Sequence, residues 1–301
     1  MSLIKAAILG KSLSHSISPQ LHRELFTILR ERYGADYTGI AFEPLEFETT
    51  DRLKEWIKSA GSNSYIGANV TYPYKTEAFD RSDHPLGVAA KIKSGNSLRF
   101  AQTGVECAST DGNGLLHSIL REFPTFDMDR YHVVCIGAGS AAKAVLYSLC
   151  TKWMPRSLTI MNRSSVRAEE LAEFCLAQAP GPTIRVMNYD NIANEFSDPH
   201  YRLVIQSTPV GQLHLPGNLG KGFRWHETDF AIDLNYNPLE TTFLENAAAC
   251  GSKTMHGLGM LIEQAALSQV FWMTGFLLDA SPLSAEQYIT LRTSLTNNFL
   301  S

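Results

Sequence analysis

Gly137 and Gly139 begin a glycine-rich turn that could hold the phosphates of a dinucleotide. The turn follows the apolar run 132–136 and opens a segment with the composition of a helix. Glycines let the backbone approach a pyrophosphate closely, and a helix N-terminus supplies N–H donors and positive potential. Such a turn can also be merely structural, but this context favours dinucleotide binding. The predicted cofactor-binding residues of the turn are Gly137, Ala138, Gly139, Ser140 and Ala141.

The residues after the next predicted strand indicate which dinucleotide is bound. An acidic residue there would bind the ribose hydroxyls of NAD. This chain instead has Asn162, Arg163, Ser164 and Arg167, and guanidinium groups bind phosphate through planar, bidentate hydrogen bonds. The arrangement favours the 2′-phosphate of NADP. The alternative is that Ser164 or Ser165 caps a helix and that both arginines are solvated.

Ser16 and Ser18 place two hydroxyls at the start of a predicted helix, where a carboxylate could bind. Pro19 supports a helix start because proline is tolerated where the backbone N–H would be unpaired. The alternative is that Ser18 caps the helix and that Ser16 is an ordinary loop residue.

A second group of polar residues accompanies the predicted strand 65–71. Asn69 and Thr71 share one face of it, since side chains alternate along a strand, and Lys75 follows a proline that breaks the strand. Asp111 adds a carboxylate at the junction of two predicted blocks, where clefts form. In isolation, Lys75 could equally be a solvated lysine and Asp111 a helix cap.

Strands and helices alternate along the whole chain, which predicts an α/β fold of two blocks that meet near residue 111. Runs that are apolar on both faces suit a parallel sheet covered by helices. Strands are predicted at 4–10, 36–42, 65–71, 96–100, 132–136, 157–163, 183–188, 201–208 and 229–236, with further strand material between 100 and Thr110. Helices are predicted at 18–32, 49–60, 114–123, 140–150, 241–250, 257–278 and 285–299.

The composition argues against several classes of function. With 301 residues and a formal net charge of −4, the chain lacks the charge for a broad nucleic-acid face or a polybasic membrane patch, so a small-molecule or protein partner is expected. The apolar stretch 258–278 contains Glu263 and Gln264, which predicts a buried helix and not a membrane span. We expect no signal peptide, because the N-terminus lacks a basic region. Five scattered cysteines without metal-ligand spacing predict reduced thiols, no bound metal and a cytoplasmic protein.

Eight motifs occur in one fixed order along nearly the whole chain. They are H-S-x-S-P-x-x-H from residue 15, N-V-T-x-P-x-K from 69, the asparagine at 96, T-D-x-x-G from 110, G-A-G-x-A-A-x-A from 137, N-R-S-x-x-R from 162, D-x-x-Y-x-P-x-x-T from 233 and G-L-G-M-L-x-x-Q-A from 257. The ordered set resembles the shikimate dehydrogenase family. This resemblance implies a reversible, NADPH-dependent reduction of 3-dehydroshikimate to shikimate.

The resemblance also implies roles for individual residues. Lys75 and Asp111 would be the catalytic pair, in which the ammonium stabilises the developing negative charge on oxygen and donates the proton. The substrate carboxylate would bind Ser16 and Ser18, with Thr71 and Tyr236 nearby. The ring hydroxyls would be held by Asn69, Asn96, Asp111 and Gln264.

The same resemblance implies the domain organisation. Residues 1–110, completed by C-terminal helices at about 240–301, would form an α/β substrate-binding domain. Residues 111–239 would form a Rossmann-type NADP-binding domain, with the active-site cleft between the two. Gly257 would approach the nicotinamide end of the cofactor closely.

The chain departs from the family pattern beside several of these residues. Ser94-Gly95-Asn96-Ser97 replaces Ala-Val-Asn-Thr, Ser109 replaces an asparagine, and Ser140 replaces a glycine of the turn. These changes concern substrate identity and efficiency more than reaction type.

Three alternatives stay open. A paralogue could act on quinate or a related cyclohexane carboxylate, and a non-catalytic NADP-binding regulator would be expected to lose Lys75, Asp111 or the serine pair. Methylenetetrahydrofolate dehydrogenase shares the architecture and a catalytic lysine, but the paired serines and Gln264 fit a small hydroxy acid better. The sequence allows a monomer or a homodimer.

Overall fold

The computed structural model describes residues 2–34, 36–179, 181–189, 201–219 and 221–299. The chain divides into two compact units. The first comprises Met1–Ser118 and Leu261–Phe299, and the second comprises Ile119–Met260. The sequence places the domain boundaries at 110/111 and 239/240. In the structure, the chain passes from one compact unit to the other at 118/119 and at 260/261, and both positions lie within helices.

The first unit contains a six-stranded mixed sheet in the order β2-β1-β3-β5-β6-β4. Strand β1 is parallel to β2 and β3, and β5 is antiparallel to both β3 and β6. Strands β3 and β6 therefore run in the same direction, and their carboxyl ends lie at the edge of the sheet where β5 begins. The strands are β1 Ser2–Gly10, β2 Tyr37–Glu46, β3 Tyr65–Val70, β4 His84–Pro85, β5 Ser97–Ala101 and β6 Gly104–Ala108.

Two apolar clusters cover the two faces of this sheet. Leu9 and Ala7 pack on one side with Leu53 and Ile57, while Ile8 and Ala6 pack on the other with Phe271 and Trp272. Burial of alternate residues along β1 on opposite faces is the period-two pattern of a central strand.

Ten α-helices lie within the described ranges. They are α1 Ser18–Tyr33, α2 Thr50–Ala60, α3 Lys75–Asp80, α4 Gly87–Ile92, α5 Asp111–Glu122, α6 Ser140–Ser148, α7 Ser165–Gln178, α8 Thr242–Ala248, α9 Leu258–Thr274 and α10 Ala285–Phe299. The boundaries between the two units fall within α5 and α9. Across these ranges, no helix is long and apolar enough to cross a membrane.

The second unit contains a six-stranded sheet in which every pairing is parallel. Its order is β12-β11-β10-β7-β8-β9, which is the Rossmann order 3-2-1-4-5-6 when the strands are counted from β7. Ligands of such sheets bind where the strand order reverses, here between β7 and β10. The strands are β7 His132–Ile136, β8 Ser157–Asn162, β9 Thr183–Asn188, β10 Arg202–Gln206, β11 Phe230–Asp233 and β12 Lys253–His256.

Most elements agree with the sequence prediction. The sequence does not predict α3, α4, β4 or β12, it gives no bounds for α7, and α5 begins three residues before the predicted start. The six-residue helices α3 and α4 are too short to carry an amphipathic repeat. The predicted α/β fold with a Rossmann-type unit is confirmed.

Candidate functional site

Lys75 and Asp111 form a partly buried ion pair. Lys75 Nζ donates a hydrogen bond to Asp111 Oδ2 at 2.5 Å, and the two side chains are 17% and 8% exposed. A charge-assisted hydrogen bond in such surroundings is shorter and stronger than one between neutral groups. The carboxylate therefore fixes the position of an ammonium group that can donate a proton.

The strand topology brings this pair together. Lys75 begins α3 shortly after β3, and Asp111 begins α5 shortly after β6, so both side chains arise at the same edge of the sheet. Gly95 N donates to the Lys75 carbonyl at 2.9 Å, which holds the start of α3 against the segment that leads into β5. Lys75 is thus a fixed, paired residue and not a solvated one.

Both amide hydrogens of Asn96 are bonded to protein partners beside this pair. Its Nδ2 donates to Thr110 Oγ1 and to Gln264 Oε1, both at 2.9 Å, and its Oδ1 accepts from Thr110 N at 2.7 Å. Asn96 is 2% exposed. A ring hydroxyl that accepts a hydrogen bond from Asn96 Nδ2 must therefore replace Thr110 or Gln264 as the acceptor.

Asn69 is held in the same way. Its Nδ2 donates to the Asn96 carbonyl and to Ser268 Oγ, both at 3.1 Å, and Ser268 Oγ lies 3.1 Å from Thr110 Oγ1. Asn69 Oδ1 lies 2.8 Å from His22 Nε2. Because Nδ2 is the donor to its other partners, Oδ1 accepts and His22 carries its proton on Nε2.

His22 is fully buried between aromatic rings. The imidazole stacks on Phe42 and Trp272 at centroid distances of 4.2 and 5.0 Å. Burial lowers the pKa of His22 to about 4, although its hydrogen bonds to Asn69 and Gln269 act in the opposite direction. The imidazole is therefore neutral near neutral pH, and it holds the Asn69 amide in one orientation.

Helix α9 carries two polar residues of this site on one face. Gln264 and Ser268 are four residues apart, a spacing that places both on the same side of a helix. Ser268 is fully buried and bonds to Asn69. The sequence motifs assign a role to Gln264 alone. Polar residues four apart within an otherwise apolar stretch are the available signal for Ser268.

Ser16, Ser18 and Thr71 lie near the carboxyl ends of β1 and β3. Ile17 is the N-cap residue of α1 and makes no side-chain cap, so the interpretation of Ser18 as the cap is wrong. Ser16 Oγ instead accepts from Ser18 N at 3.3 Å. A Cβ atom at Gly10 would lie 2.8 Å from Thr71 Cγ2, so the glycine that ends β1 allows Thr71 to approach this loop.

In the second unit, the glycine turn joins β7 to α6 as predicted. Gly137 has φ +113°, and a Cβ atom there would lie 2.5 Å from Ser207 Oγ, beyond the end of β10. Gly139 is the N-cap residue of α6, which begins at Ser140. A Cβ atom at Gly139 would meet nothing within 4 Å, so the approach to this helix N-terminus is open. These features fit a pyrophosphate.

The residues after β8 are compatible with both interpretations of this segment, a helix cap at Ser164 and a phosphate site at the arginines. Ser164 Oγ caps α7 by accepting from Arg167 N at 3.4 Å, and Asn162 Nδ2 donates to the Ser164 carbonyl at 3.1 Å. Arg163 and Arg167 are exposed. Neither guanidinium has an ion-pair partner among the described residues. Two positive charges without a protein counter-charge therefore lie just after β8.

Tyr236 and Gly257 belong to the second unit, on loops near the ends of β11 and β12. Gly257 N donates to the Asn235 carbonyl at 2.8 Å. A Cβ atom at Gly257 would lie 2.1 Å from the Leu234 carbonyl oxygen, so this close approach requires glycine. Tyr236 is half-buried.

Two of the departures from the family pattern have local explanations. A Cβ atom at Gly95 would lie 2.1 Å from Cys107 Sγ, so the cysteine occupies the space that a larger residue at 95 would need. Ser97 Oγ accepts from Trp272 Nε1 at 2.9 Å. Thr110, and not its neighbour Ser109, supplies the hydrogen bonds that hold Asn96.

Comparison with protein families agrees with the division of the chain into two units. Residues 8–98 match the model of the shikimate dehydrogenase substrate binding domain, and residues 119–209 match that of shikimate / quinate 5-dehydrogenase. A shikimate dehydrogenase (NADP(+)) of Methanopyrus kandleri is 34% identical over 269 residues, which cover 88% of each chain.

Solved structures share the fold. Shikimate 5-dehydrogenase from Thermus thermophilus, in complex with NADP(H) and shikimate, superposes with a TM-score of 0.72 at 25% identity, covering 97% of this chain and 99% of that one. Quinate dehydrogenase from Corynebacterium glutamicum, in complex with NAD, gives 0.78 at 22% identity over 98% of this chain and 100% of that one. At that identity the second likeness concerns the fold alone.

Strand order and glycine turn define the class of protein: a Rossmann-type dinucleotide-binding unit joined to a separate α/β unit that carries a lysine–aspartate pair. Together with the matches to family models and relatives, they show that the chain belongs to the shikimate dehydrogenase family.

Replacing His22 should change how stability depends on pH. The unfolded chain binds a proton near the ordinary imidazole pKa of 6.5, whereas the folded chain resists it down to about 4. Stability is therefore lost as the pH falls through this interval, by roughly 2–3 kcal/mol. His22→Gln keeps a donor toward Asn69 without a titrating group, and urea unfolding at pH 7 and pH 5 should show a smaller loss for the variant.

The control is His15→Gln, which alters an exposed histidine of the same unit. This variant should show the same difference in the free energy of unfolding between pH 7 and pH 5 as the wild type. An equal loss of unfolding free energy between pH 7 and pH 5 for the wild type and His22→Gln would contradict the assignment of a buried, neutral imidazole.

Proposed function

We propose that this protein catalyses the reversible NADPH-dependent reduction of 3-dehydroshikimate to shikimate. The observation that carries the proposal is the hydrogen bond between Lys75 and Asp111 at one edge of the first sheet. Family membership and the names of the relatives, which are NADP(+)-dependent shikimate dehydrogenases, support the reaction and the cofactor.

Lys75 supplies the proton in this reaction. When bound, NADPH supplies the hydride to the carbonyl carbon of the substrate, and negative charge develops on the carbonyl oxygen. The Lys75 ammonium stabilises that charge and transfers a proton to the oxygen, so ketone, hydride and proton give the alcohol. In the reverse direction, the neutral amine accepts the hydroxyl proton. Asp111 orients Nζ in both directions.

The remaining polar residues of the first unit bind the substrate in this proposal. Ser16, Ser18 and Thr71 receive its carboxylate through hydroxyl groups, together with Tyr236. The ring hydroxyls bind Asn69, Asn96, Asp111 and Gln264. Because both amide hydrogens of each asparagine already have protein acceptors, a ring hydroxyl accepts a hydrogen bond from either amide only by exchange.

NADP is the proposed cofactor, and the residues of the second unit fit it. The open N-terminus of α6 and the positive φ of Gly137 suit the pyrophosphate. The exposed Arg163 and Arg167 suit the 2′-phosphate, with Asn162 and Ser164 beside them. Gly257 suits close approach of the nicotinamide end.

Quinate is the alternative substrate, because the matching family model is described for both shikimate and quinate. A non-catalytic regulator is disfavoured, since Lys75 and Asp111 are both retained and bonded to each other. We also propose a cytoplasmic enzyme that acts as a monomer or homodimer, in line with five free cysteines of which four are buried.

Initial rates with two substrates and two cofactors test the function directly. Shikimate with NADP⁺ should be oxidised fastest, because quinate carries an additional tertiary hydroxyl beside its carboxylate and needs more room there, and because two arginines bind the 2′-phosphate of NADP⁺. The measurement compares shikimate and quinate, each with NADP⁺ and NAD⁺, by the absorbance of the reduced cofactor. Faster turnover of quinate would transfer the assignment to the alternative, and absence of turnover in all four mixtures would refute both.

Lys75→Ala should reduce kcat by about 10²–10⁴-fold, because positioned proton transfer contributes that much. Shikimate binding should be partly retained, since the other polar residues remain. The matched control is Lys91→Ala, which removes an exposed lysine of the same unit and should leave kcat unchanged. A Lys75→Ala enzyme that folds and keeps wild-type kcat would exclude Lys75 as the proton donor.

Replacing both Arg163 and Arg167 by alanine should raise the KM for NADP⁺ by roughly 10–100-fold, because at these solvent-exposed positions the two charged hydrogen-bonding groups together contribute about 1.5–3 kcal/mol. The KM for NAD⁺, which lacks the 2′-phosphate, should change little. Arg156→Ala, another exposed arginine of this unit, serves as the control. A parallel rise for both cofactors would argue against recognition of the 2′-phosphate.

A further inference from the structure

Asp233 is a buried carboxylate whose partners are amide and hydroxyl groups. It lies at the end of β11 and has no exposed surface. Its Oδ1 accepts from Asn235 N at 2.9 Å and from Gln206 Nε2 at 3.3 Å, and its Oδ2 accepts from Thr241 Oγ1 at 2.7 Å. Burial raises the pKa of Asp233 to about 6 against these favourable hydrogen bonds. A buried carboxylate is costly to maintain without such partners.

Gln206 and Asn235 extend this network to the loop that follows β10. Gln206 Nε2 donates to the carbonyls of Thr208 and Val210 at 3.1 and 2.8 Å. Asn235 Nδ2 donates to the same two carbonyls at 3.2 and 3.0 Å. Gln206 Oε1 accepts from Thr208 N at 2.5 Å. The side chains of Gln206 and Asn235 therefore hold the backbone of one short loop through its carbonyl groups and through the Thr208 N–H.

The loop held in this way contains a backbone conformation that needs support. Gly211 has φ +102°, a region that favours glycine. Beside it, Gln212 Nε2 donates to Asn235 Oδ1 at 2.8 Å. The side chain of Asn235 therefore donates hydrogen bonds to this loop and also accepts one from it.

Three segments of the proposed ligand sites meet this network. Ser207, at the start of the loop, lies against Gly137 of the phosphate-binding turn. Tyr236 directly follows Asn235. The Asn235 carbonyl accepts from Gly257 N at 2.8 Å. A change in the Asp233 network would therefore displace residues at the ends of β7, β11 and β12 together.

We propose that Asp233 and Gln206 are positioning residues that hold Tyr236, Gly257 and the loop 207–212 in the conformation required for turnover. Asp233 acts through these segments and not by contact with a ligand. The proposal rests on the proposed function, in which Tyr236 and Gly257 contribute to the substrate and cofactor sites. It also gives a role to the aspartate and threonine of the D-x-x-Y-x-P-x-x-T motif, to which the sequence alone assigns none.

The test uses Asp233→Asn and Gln206→Met in the full-length chain. Gln206→Met removes hydrogen bonds of the network, and Asp233→Asn replaces the carboxylate oxygen that accepts from Thr241 by an NH₂ donor. Both nearly keep side-chain volume. We expect kcat/KM for shikimate to fall by about tenfold or more, because buried partners are left unsatisfied. Amide hydrogen exchange should accelerate in 207–212 and 234–236 but not in 133–136 of the neighbouring strand β7.

A matched pair at Thr241 covers the case in which these variants fail to fold. Thr241→Val removes the hydroxyl that donates to Asp233, and Thr241→Ser keeps it. We expect Thr241→Val to accelerate exchange in both segments and lower kcat/KM, and Thr241→Ser to restore both. A purely structural role would lower the thermal midpoint of Thr241→Val without changing kcat/KM of the folded enzyme, and this result would overturn the proposal.

The control for general destabilisation is Thr159→Val. Thr159 is also buried in this unit, and its hydroxyl lies 2.8 Å from His132 Nε2. It should lower stability without changing exchange in 207–212 or kcat/KM. Equal effects of Thr159→Val and Asp233→Asn would refute a specific positioning role. Absence of wild-type turnover would refute the proposed function instead, while the exchange comparison would still decide whether Asp233 holds these segments.

Discussion

The direction of three strands determines where the chemistry of the first unit can occur. Because β5 is antiparallel to both β3 and β6, the segments that carry Lys75 and Asp111 emerge at one edge of the sheet. The ion pair between them forms over a short distance, although the two residues belong to different helices. Any change that reversed β5 would separate the ammonium from its carboxylate.

Both units surround their functional residues with amide side chains that have no spare donors. In the first unit, Asn69 and Asn96 distribute their amide hydrogens among backbone carbonyls, hydroxyls and Gln264. In the second unit, Gln206 and Asn235 do the same for one loop. Fully satisfied polar networks make a buried site rigid, whereas partly satisfied ones are costly.

The sequence predicts the architecture and most of the candidate site residues because these depend on local patterns. Apolar runs identify the central strands, and the glycine turn predicts the nucleotide site. The sequence does not reveal that His22 bonds to Asn69 or that Ser268 bridges Asn69 and Thr110. Those contacts depend on tertiary packing between residues far apart in the chain. The alternative in which Ser18 caps α1 is wrong: a serine before a proline suggests such a cap, but the N-cap residue is Ile17, which makes no side-chain hydrogen bond.

The hydrogen bonds of the Asn96 amide bear on how such a site would discriminate among small molecules. A ligand hydroxyl that displaces Gln264 gains little net attraction, since one bond replaces another. A molecule of the same shape without that hydroxyl would leave the hydrogen bond from Asn96 to Gln264 in place, so no amide hydrogen would lose its partner. The two amide hydrogens of Asn96 would therefore contribute little to the preference for one compound over another.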